Sequence, residues 1–243
     1  MIRSKKITEM TIGHNFIEAV FIERPNRFLT KVKLDGDIVD SHLPDPGRLK
    51  ELLIPGARLL IKKEDAKNRK TLFSTQAVYS GETLISLNTL VPNRFVSYLI
   101  KNKGLEFLQE WKFQKQEISY GKSRFDFQLI KEDAIMVLEV KSVTLVENGI
   151  AKFPDAVTER GRRHINHLVK LATKGLEVMV LFVVQRPDAK CFQPQWERDP
   201  EFSSALYAAW QDSLQIRVIK MKMTTDHFCY LGEIPYQLNP GCI

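Results

Sequence analysis

Three residues that could carry chemistry, Asp126, Glu139 and Lys141, lie in two consecutive predicted strands. Successive side chains of a strand point to opposite faces, so the run RFDFQLI places Asp126 on the face away from its apolar side chains. The run AIMVLEVK likewise places Glu139 and Lys141 on one face. A turn centred on Glu132 and Asp133 pairs residues whose numbers sum to 265, which sets Asp126 opposite Glu139. The predicted apolar face of the first strand consists of Phe125, Phe127 and Leu129.

Two carboxylates placed opposite each other on neighbouring strands repel, because their Cβ atoms are only about 4.5–5.5 Å apart. A divalent cation relieves this repulsion, since Mg²⁺ takes one or two carboxylates and leaves room for phosphate oxygens. We therefore predict that Asp126 and Glu139 bind Mg²⁺ or Mn²⁺. The metal would polarise a phosphate and lower the pKa of a bound water. Lys141 would orient that water or stabilise the developing negative charge, and the predicted chemistry is phosphodiester hydrolysis.

A Glu-x-Lys pair alone is a weak signal. The chain has a second copy at Glu110 and Lys112, and no aspartate occurs in residues 70–109 before it. The alternative for Glu139 and Lys141 is a solvated strand face on which the two side chains pair with each other and stabilise the fold little. The presence of Asp126 on the same predicted face is what favours the catalytic interpretation.

A predicted helix near residues 155–173 carries a basic face beside its buried stripe. Arginine binds phosphate well, so this face could contact a nucleic-acid backbone, and the alternative is an ordinary solvated helix face. His164 and His167 of this helix are spaced for metal binding, but the His-Glu-x-x-His pattern of zinc proteases is absent. The predicted stripe is Ile165, Leu168, Val169 and Ala172. The basic face is Arg160, Arg163, His164 and His167.

A second basic cluster lies near a predicted hairpin and consists of Arg58, Lys62, Lys63, Lys67, Arg69 and Lys70. Aromatic residues of the same region could stack on bases, as in nucleic-acid-binding barrels, although their alternating positions are also typical of core residues. These aromatics are Phe21, Phe28, Phe73 and Tyr79. The residues that we predict to bind nucleic acid are Arg124, Arg160, Arg163, His164, Lys62, Lys63, Arg69 and Lys70.

The elements that must position these residues divide the chain in two. Short strand-like runs separated by turn residues fill residues 14–85 and favour a small β-barrel, interrupted by a brief helix, GRLKELL, at 47–53. From residue 86 helices alternate with strands, which is typical of an α/β sheet. The apolar run VMVLFVV at 178–184 suits a central strand that is buried on both faces. We predict an α+β protein with a barrel domain over 1–85 and an α/β domain over 86–243.

Composition narrows the class of protein. Lysine and arginine number 36 against 29 acidic residues, and the net charge of +7 favours a polyanionic partner. The longest strongly apolar run is too short to span a membrane, and the N-terminus lacks the apolar core of a signal peptide. The three cysteines, Cys191, Cys229 and Cys242, stand far apart, as expected in a reducing cytosol. We expect a cytoplasmic protein without a membrane partner; the sequence leaves its oligomeric state, homodimer included, undetermined.

Several motifs resemble the sugar fermentation stimulation protein A family over nearly the whole chain: RFLTKVKL, HLPDPGRLKELLIPG, SLNTLVPNR, YGKSRFDF, LEVKSVTL and FPDAVTERGRRH. The resemblance implies an OB-fold-like barrel, a mixed-sheet domain similar to PD-(D/E)xK nucleases, and DNA binding. It matches Asp126 to the metal-binding aspartate and Glu139 with Lys141 to the ExK pair. It places beside them the helix that carries Glu159, Arg160 and His164. Many such nucleases have a further acid on the first helix of the domain, which VPNRFVSYLI lacks.

The leading hypothesis is a DNA-binding protein whose second domain is a metal-dependent deoxyribonuclease. The first alternative is a DNA-binding regulatory protein that keeps a nuclease-like fold without catalysis. The second is a metabolic enzyme that acts on a small phosphorylated or sugar-like molecule, with the positive charge incidental. Salt titration separates this last class, because contacts to a phosphate backbone weaken steeply between roughly 50 and 200 mM salt.

Overall fold

The computed structural model describes residues 8–13, 15–65 and 69–240, so the predicted basic residue Lys67 and the cysteine Cys242 lie outside the described residues. The first part of the chain forms β1 (Glu9–Thr11), β2 (Ile17–Asn26), β3 (Leu29–Leu34), β4 (Asp37–His42), β5 (Arg58–Lys63), β6 (Phe73–Ser80) and β7 (Thr83–Ser86). The second part forms α1 (Val91–Lys101), a 3-10 turn (Glu106–Leu108), β8 (Lys112–Tyr120), β9 (Ser123–Lys131), β10 (Ala134–Val143), β11 (Val146–Glu147), β12 (Ile150–Phe153), α2 (Glu159–Ala172), β13 (Glu177–Val184), β14 (Cys191–Pro194), α3 (Pro200–Asp212), β15 (Gln215–Met223) and β16 (His227–Glu233).

Strands β2 to β6 close into a barrel. β2 pairs with β3 and β5, β3 with β4, and β5 with β6, all antiparallel. A short parallel pairing at Ser41 and Phe73 joins β4 to β6 and closes the ring. The buried hydroxyl of Thr75 lies 2.8 Å from that of Thr30 and 2.9 Å from that of Ser41, so the closure satisfies its own polar groups. The result is the OB-like barrel that the resemblance implied.

The predicted helix GRLKELL is wrong, because residues 47–53 form bends and turns. Leu49 has a left-handed backbone with φ of 50°, which an α-helix does not allow. In this conformation Leu49, Leu52 and Leu53 all enter the barrel core. The backbone N–H groups of Leu52 and Leu53 both donate to the carbonyl of Leu49. Burial of the three leucines outweighs the local preference for helix.

The second part of the chain is built on three parallel strands, β10, β13 and β15, with β9 and β8 added antiparallel beyond β10. As predicted, β13 is buried on both faces: its residues alternate between two core clusters, with Leu181 in the cluster that contains α1 and Phe182 in the cluster that contains α2 and α3. Pairing of Met223 with Leu84 joins β15 to β7 and connects this sheet with the barrel.

The outer strand of this sheet is β8. Its register against β9 shifts between Phe113 and Lys115, and Glu117 has a left-handed backbone with φ of 56°. Lys112 and Lys115 are exposed. The outer strand therefore departs from regular β geometry at two places and carries charge.

The predicted helix near 155–173 corresponds to α2, and α3 is a further helix of the second part. Thr158 caps α2 by accepting a 3.0 Å hydrogen bond from the N–H of Gly161. Sequence reasoning missed the small sheet of β11, β12 and β14, whose strands are very short. The predicted domain boundary after residue 85 falls within β7. Within the ranges described, no helix is long and apolar enough to cross a membrane.

Candidate metal centre

β9 and β10 pair in the predicted register, in which residue numbers sum to 265, and the last pair joins Leu138 to Phe127. The pairing stops one residue before Asp126 and Glu139 would face each other. Instead, Oδ2 of Asp126 accepts a 2.7 Å hydrogen bond from the backbone N–H of Val140. The side chain of Asp126 thus replaces a backbone contact and holds its carboxylate against β10.

Phe125 departs from the predicted face. Phe127 and Leu129 pack in the core cluster around α1, whereas Phe125 packs in the cluster around α2. Its ring centroid lies 5.3 Å from that of His164. The prediction of one shared apolar face is therefore wrong for Phe125. The reason is the irregular pairing at Asp126, which lies outside the pairs with both β8 and β10.

Asn93, in the first turn of α1, holds the other oxygen of Asp126. Its Nδ2 donates a 2.6 Å hydrogen bond to Oδ1. Burial and the neighbouring carboxylate of Glu139 raise the pKa of Asp126 to about 6, although the bonds from Val140 and Asn93 oppose the shift. Sequence reasoning missed Asn93 because it carries no charge. The one available signal was its place on the helix from which the expected further acid is absent.

Glu139 is 4% exposed. Its neighbours Lys141 and His164 both bind one of its two carboxylate oxygens. Oε1 lies 2.5 Å from Nζ of Lys141 and 2.7 Å from Nδ1 of His164. Burial alone would raise the pKa of Glu139, but Lys141 and His164 outweigh it and lower that pKa. The second oxygen, Oε2, is buried and has no hydrogen-bond partner among the described residues. An ionised carboxylate with one vacant buried oxygen is suited to bind a cation.

His164 belongs to the interior rather than to the predicted basic face. It is 3% exposed, while Arg160 and Arg163 are exposed as expected. The helical period explains the difference, because Gly161 and Leu168, three residues before and four residues after His164, are also buried. The position of His164 toward Glu139 therefore follows from its place at the edge of the buried stripe.

The two carboxylates fit a divalent cation. Asp126 and Glu139 provide two carboxylates near each other, and Mg²⁺ commonly binds one or two carboxylates and completes its shell with waters and phosphate oxygens. Among the described residues there is no group of three or more histidine, cysteine or acidic side chains placed to hold a metal. Two carboxylates suit a hard divalent cation that takes its other ligands from water or substrate oxygens.

The other predicted binding residues belong to β9 and to the barrel region. Arg124 is exposed and 3.8 Å from Glu117. On the barrel, Lys62 and Arg69 each lie 3.5 Å from the carboxylate of Glu64, so part of the predicted basic cluster is neutralised. Arg58 is exposed and lies 3.1 Å from Glu18. The other exposed members are Lys63 and Lys70.

The four aromatics of the barrel region separate into two kinds. Phe21 is buried, and Phe73 and Tyr79 pack against the cores. Phe28, by contrast, is 43% exposed. The core interpretation therefore holds for three of them and not for Phe28.

A cavity of about 480 Å³ lies where the barrel meets the second part of the chain. Lys141 and the end of β10 line one side, and Arg27, Asp45 and Gly47 of the barrel line another. The backbone N–H of Arg48 donates a 2.8 Å hydrogen bond to Oδ2 of Asp155, which ties the barrel loop to the segment before α2. Of the three candidate residues, Lys141 therefore lines the space between the two parts of the chain.

An OB-like barrel joined to a mixed sheet, with an aspartate, a glutamate and a lysine gathered on adjacent strands, defines a class of two-domain proteins. Family models match both parts: the SfsA N-terminal OB domain matches residues 22–87, and the sugar fermentation stimulation protein RE domain matches residues 90–227. The chain belongs to the sugar fermentation stimulation protein family.

Individual relatives agree over most of the chain. The sugar fermentation stimulation protein homolog of Clostridium botulinum (strain Langeland) is 42% identical over 208 residues, which cover 85% of this chain and 90% of that protein. The homolog of the Alaska E43 strain is 41% identical over 210 residues, with the same coverage of both proteins. The solved structure of Pyrococcus furiosus SfsA in complex with Ca²⁺ matches with a TM-score of 0.87 and 25% identity, and covers 95% of this chain and 99% of that one.

Proposed function

We propose that this chain binds DNA and that its second domain hydrolyses phosphodiester bonds with Mg²⁺ or Mn²⁺ held by Asp126 and Glu139. The observation that carries the proposal is the vacant, buried Oε2 of Glu139 beside Lys141 and near Asp126. The Ca²⁺ in the Pyrococcus furiosus relative supports a divalent cation in this family fold. We also propose a cytoplasmic location, which the free thiols of Cys191 and Cys229 support.

In this proposal each side chain has a separate task. A bound metal supplies polarisation of the phosphate and a water of lowered pKa. Asp126 and Glu139 hold it, and Asn93 and the N–H of Val140 fix the orientation of Asp126. Lys141 lines the interdomain cavity, where its ammonium group stabilises charge that develops on the phosphate oxygens.

The second candidate function is a DNA-binding regulator without catalysis. Asn93 favours it, because the first helix of the domain presents an amide to Asp126 where a further acid would strengthen metal binding. Under this alternative the fold and the basic surface remain, and the centre binds metal weakly or serves structure only.

Cleavage of labelled single-stranded and duplex DNA with Mg²⁺, Mn²⁺ or EDTA distinguishes the two. We expect wild-type cleavage that needs the metal and that falls to background in Glu139→Gln, a substitution that preserves size. The matched control is Glu110→Gln in the second Glu-x-Lys copy, whose exposed carboxylate pairs with Lys131. Binding of DNA without cleavage in any metal would establish the regulator instead.

Binding itself needs a separate test against the small-molecule alternative. We expect the affinity for DNA to fall steeply when salt rises from roughly 50 to 200 mM, because phosphate contacts release counterions. Absence of DNA binding at low salt would contradict both DNA-binding proposals and favour an enzyme that acts on a small phosphorylated or sugar-like molecule.

A further inference from the structure

We propose that a single strand of nucleic acid runs from the cavity beside Lys141, over the turn between β2 and β3, into a groove on the barrel, with the ring of Phe28 as a stacking platform for a base. This inference rests on the proposed function and specifies its substrate as single-stranded. Two recesses support it, together with Arg27 and Phe28, the adjacent residues that connect them.

The first recess is the interdomain cavity of about 480 Å³, whose wall includes both Lys141 and Arg27. A candidate catalytic residue and a barrel residue therefore line one space. The carboxylates of Asp45 and Asp155 also line it, but one oxygen of each accepts a 2.8 Å hydrogen bond from a backbone N–H, of Gly47 and Arg48 respectively. These bonds offset part of their negative charge, and the exposed Arg27 provides a cation for a phosphate.

The second recess is a groove of about 690 Å³ on the barrel. Phe28 and Asp40 line it, together with Lys70 and with Arg69, whose guanidinium also lies 3.5 Å from Glu64. Arg27 and Phe28 are consecutive, so the turn between β2 and β3 contributes one residue to each recess. The two recesses are thus neighbours across a single turn, and a strand that leaves one meets the other.

Phe28 is placed to stack on a base. Its ring is 43% exposed, and the guanidinium of Arg27 lies 4.8 Å from the ring centroid. The backbone of Phe28 is fixed on both sides, because its N–H donates to Oδ1 of Asn26 over 2.9 Å and its carbonyl accepts from the N–H of Leu43 over 2.9 Å. An exposed ring on a rigid turn loses little freedom when a base stacks on it.

The geometry favours a single strand over a duplex. Bases of a duplex are stacked on each other, so their faces cannot reach the ring of Phe28, whereas unpaired bases stack readily on aromatic side chains. The interdomain cavity is also of the size of a small-molecule site. The hydrogen bond from Arg48 to Asp155 ties its two walls together. A flexible single strand can enter without breaking this bond, whereas a double helix would require the walls to separate.

Fluorescence anisotropy with labelled oligothymidylate and with a matched duplex, both in EDTA at low salt, tests this path in the full-length protein. Phe28→Ala should weaken single-strand binding by roughly 5- to 100-fold, and Phe28→Trp should restore it. The matched control is Ile38→Ala, which removes an apolar side chain that is 63% exposed on the same barrel. Wild-type affinity of Phe28→Ala for the single strand, or an equal loss for the duplex, overturns the proposal.

A second measurement locates the contact directly. Oligonucleotides that contain 5-iodouracil should crosslink to Phe28 on irradiation, and mass spectrometry of the digested protein identifies the modified residue. Crosslinks confined to other surfaces overturn the path. Both measurements are made without metal, so they are independent of catalysis. Binding that depends on Phe28 without any cleavage supports the path and contradicts the nuclease activity. Cleavage that is unaffected by Phe28→Ala supports the nuclease activity and contradicts the path.

Discussion

His164 and Glu139 contact each other inside the protein, with Nδ1 of the histidine 2.7 Å from Oε1 of the glutamate. Because an ionised carboxylate only accepts hydrogen bonds, Nδ1 must carry the proton. The contact engages the oxygen that Lys141 also binds and leaves Oε2 free. His164 is therefore a positioning residue for the proposed metal ligand.

Replacing His164 should affect both stability and metal binding. We expect His164→Ala to lower the free energy of unfolding by about 1–3 kcal/mol, since a buried carboxylate loses a hydrogen bond. Mn²⁺ affinity, measured by calorimetry, should fall by roughly 10- to 100-fold because Glu139 loses its orientation. His164→Asn, which can still donate to Oε1, should recover much of the affinity. His167→Ala is the control, and an equal loss of affinity in it would contradict the assignment.

Asn93 offers a way to change the metal centre by a single charge. We expect Asn93→Asp to lower the free energy of unfolding by about 1–3 kcal/mol without metal, because Asp126 loses a donor and gains a like charge. With Mn²⁺ present the added carboxylate should tighten metal binding and recover that loss. Chemical denaturation with and without Mn²⁺ measures both effects. Asn166→Asp on the exposed face of α2 should show neither, and a Mn²⁺ response equal to that of the wild type would rule out Asn93 as a neighbour of the metal.

The pKa of Asp126 predicts how stability changes with pH. Burial and Glu139 raise it to about 6 in the folded protein, against about 3.9 in an unfolded chain. Between these values the folded state binds more protons, so Asp126 makes the protein less stable as pH rises from about 4 to 6. The full loss above pH 6 is on the order of 3 kcal/mol.

Urea denaturation of the wild type and Asp126→Asn at a series of pH values tests this sign. The stability of Asp126→Asn relative to the wild type should increase as pH rises through that window. Asp45, whose pKa burial also raises to about 6, is common to both proteins and cancels in the difference. Asp133→Asn in the turn between β9 and β10 is the control, and a parallel pH dependence of wild type and Asp126→Asn would show that Asp126 ionises normally.

Gly47 leaves no room for a side chain. A Cβ there would lie 2.3 Å from Oδ2 of Asp155 and 2.9 Å from Oδ1 of Asp45. We expect Gly47→Ala to destabilise the protein by about 1–3 kcal/mol through overpacking, as measured by thermal or urea unfolding. Gly13→Ala is the control, since a Cβ at Gly13 meets no atom within 4 Å. A cost of Gly47→Ala that is unchanged in an Asp155→Ala background would contradict the proposed clash, because residues in contact should couple.

Sequence periodicity was informative where the structure is regular. The 265 register followed from the symmetry of one polar turn, and the burial of β13 on both faces followed from its apolar run. The same reasoning failed where distant contacts decide. The three leucines of GRLKELL take turns instead of a helix because the barrel core admits them, and Phe125 changes core cluster at the irregular position of Asp126.

The candidate centre was predictable in its charged members only. Asp126, Glu139 and Lys141 are strand residues whose spacing reveals a shared face, although the roles assigned to them remain predictions. Asn93 lies on α1, which the 3-10 turn and β8 separate from the strand of Asp126. No local sequence pattern encodes its contact with Asp126. Phe28 is exposed because it lies in the turn between β2 and β3 and not at an alternating strand position.

The irregular outer strand β8 has a consequence for self-association. An outer strand with a straight, unpaired edge can add a strand from a second molecule, and proteins avoid this with bulges and charged side chains. The shifted register at Phe113, the left-handed Glu117 and the exposed Lys112 and Lys115 are such features. Extension of the sheet across two copies through β8 is thereby disfavoured.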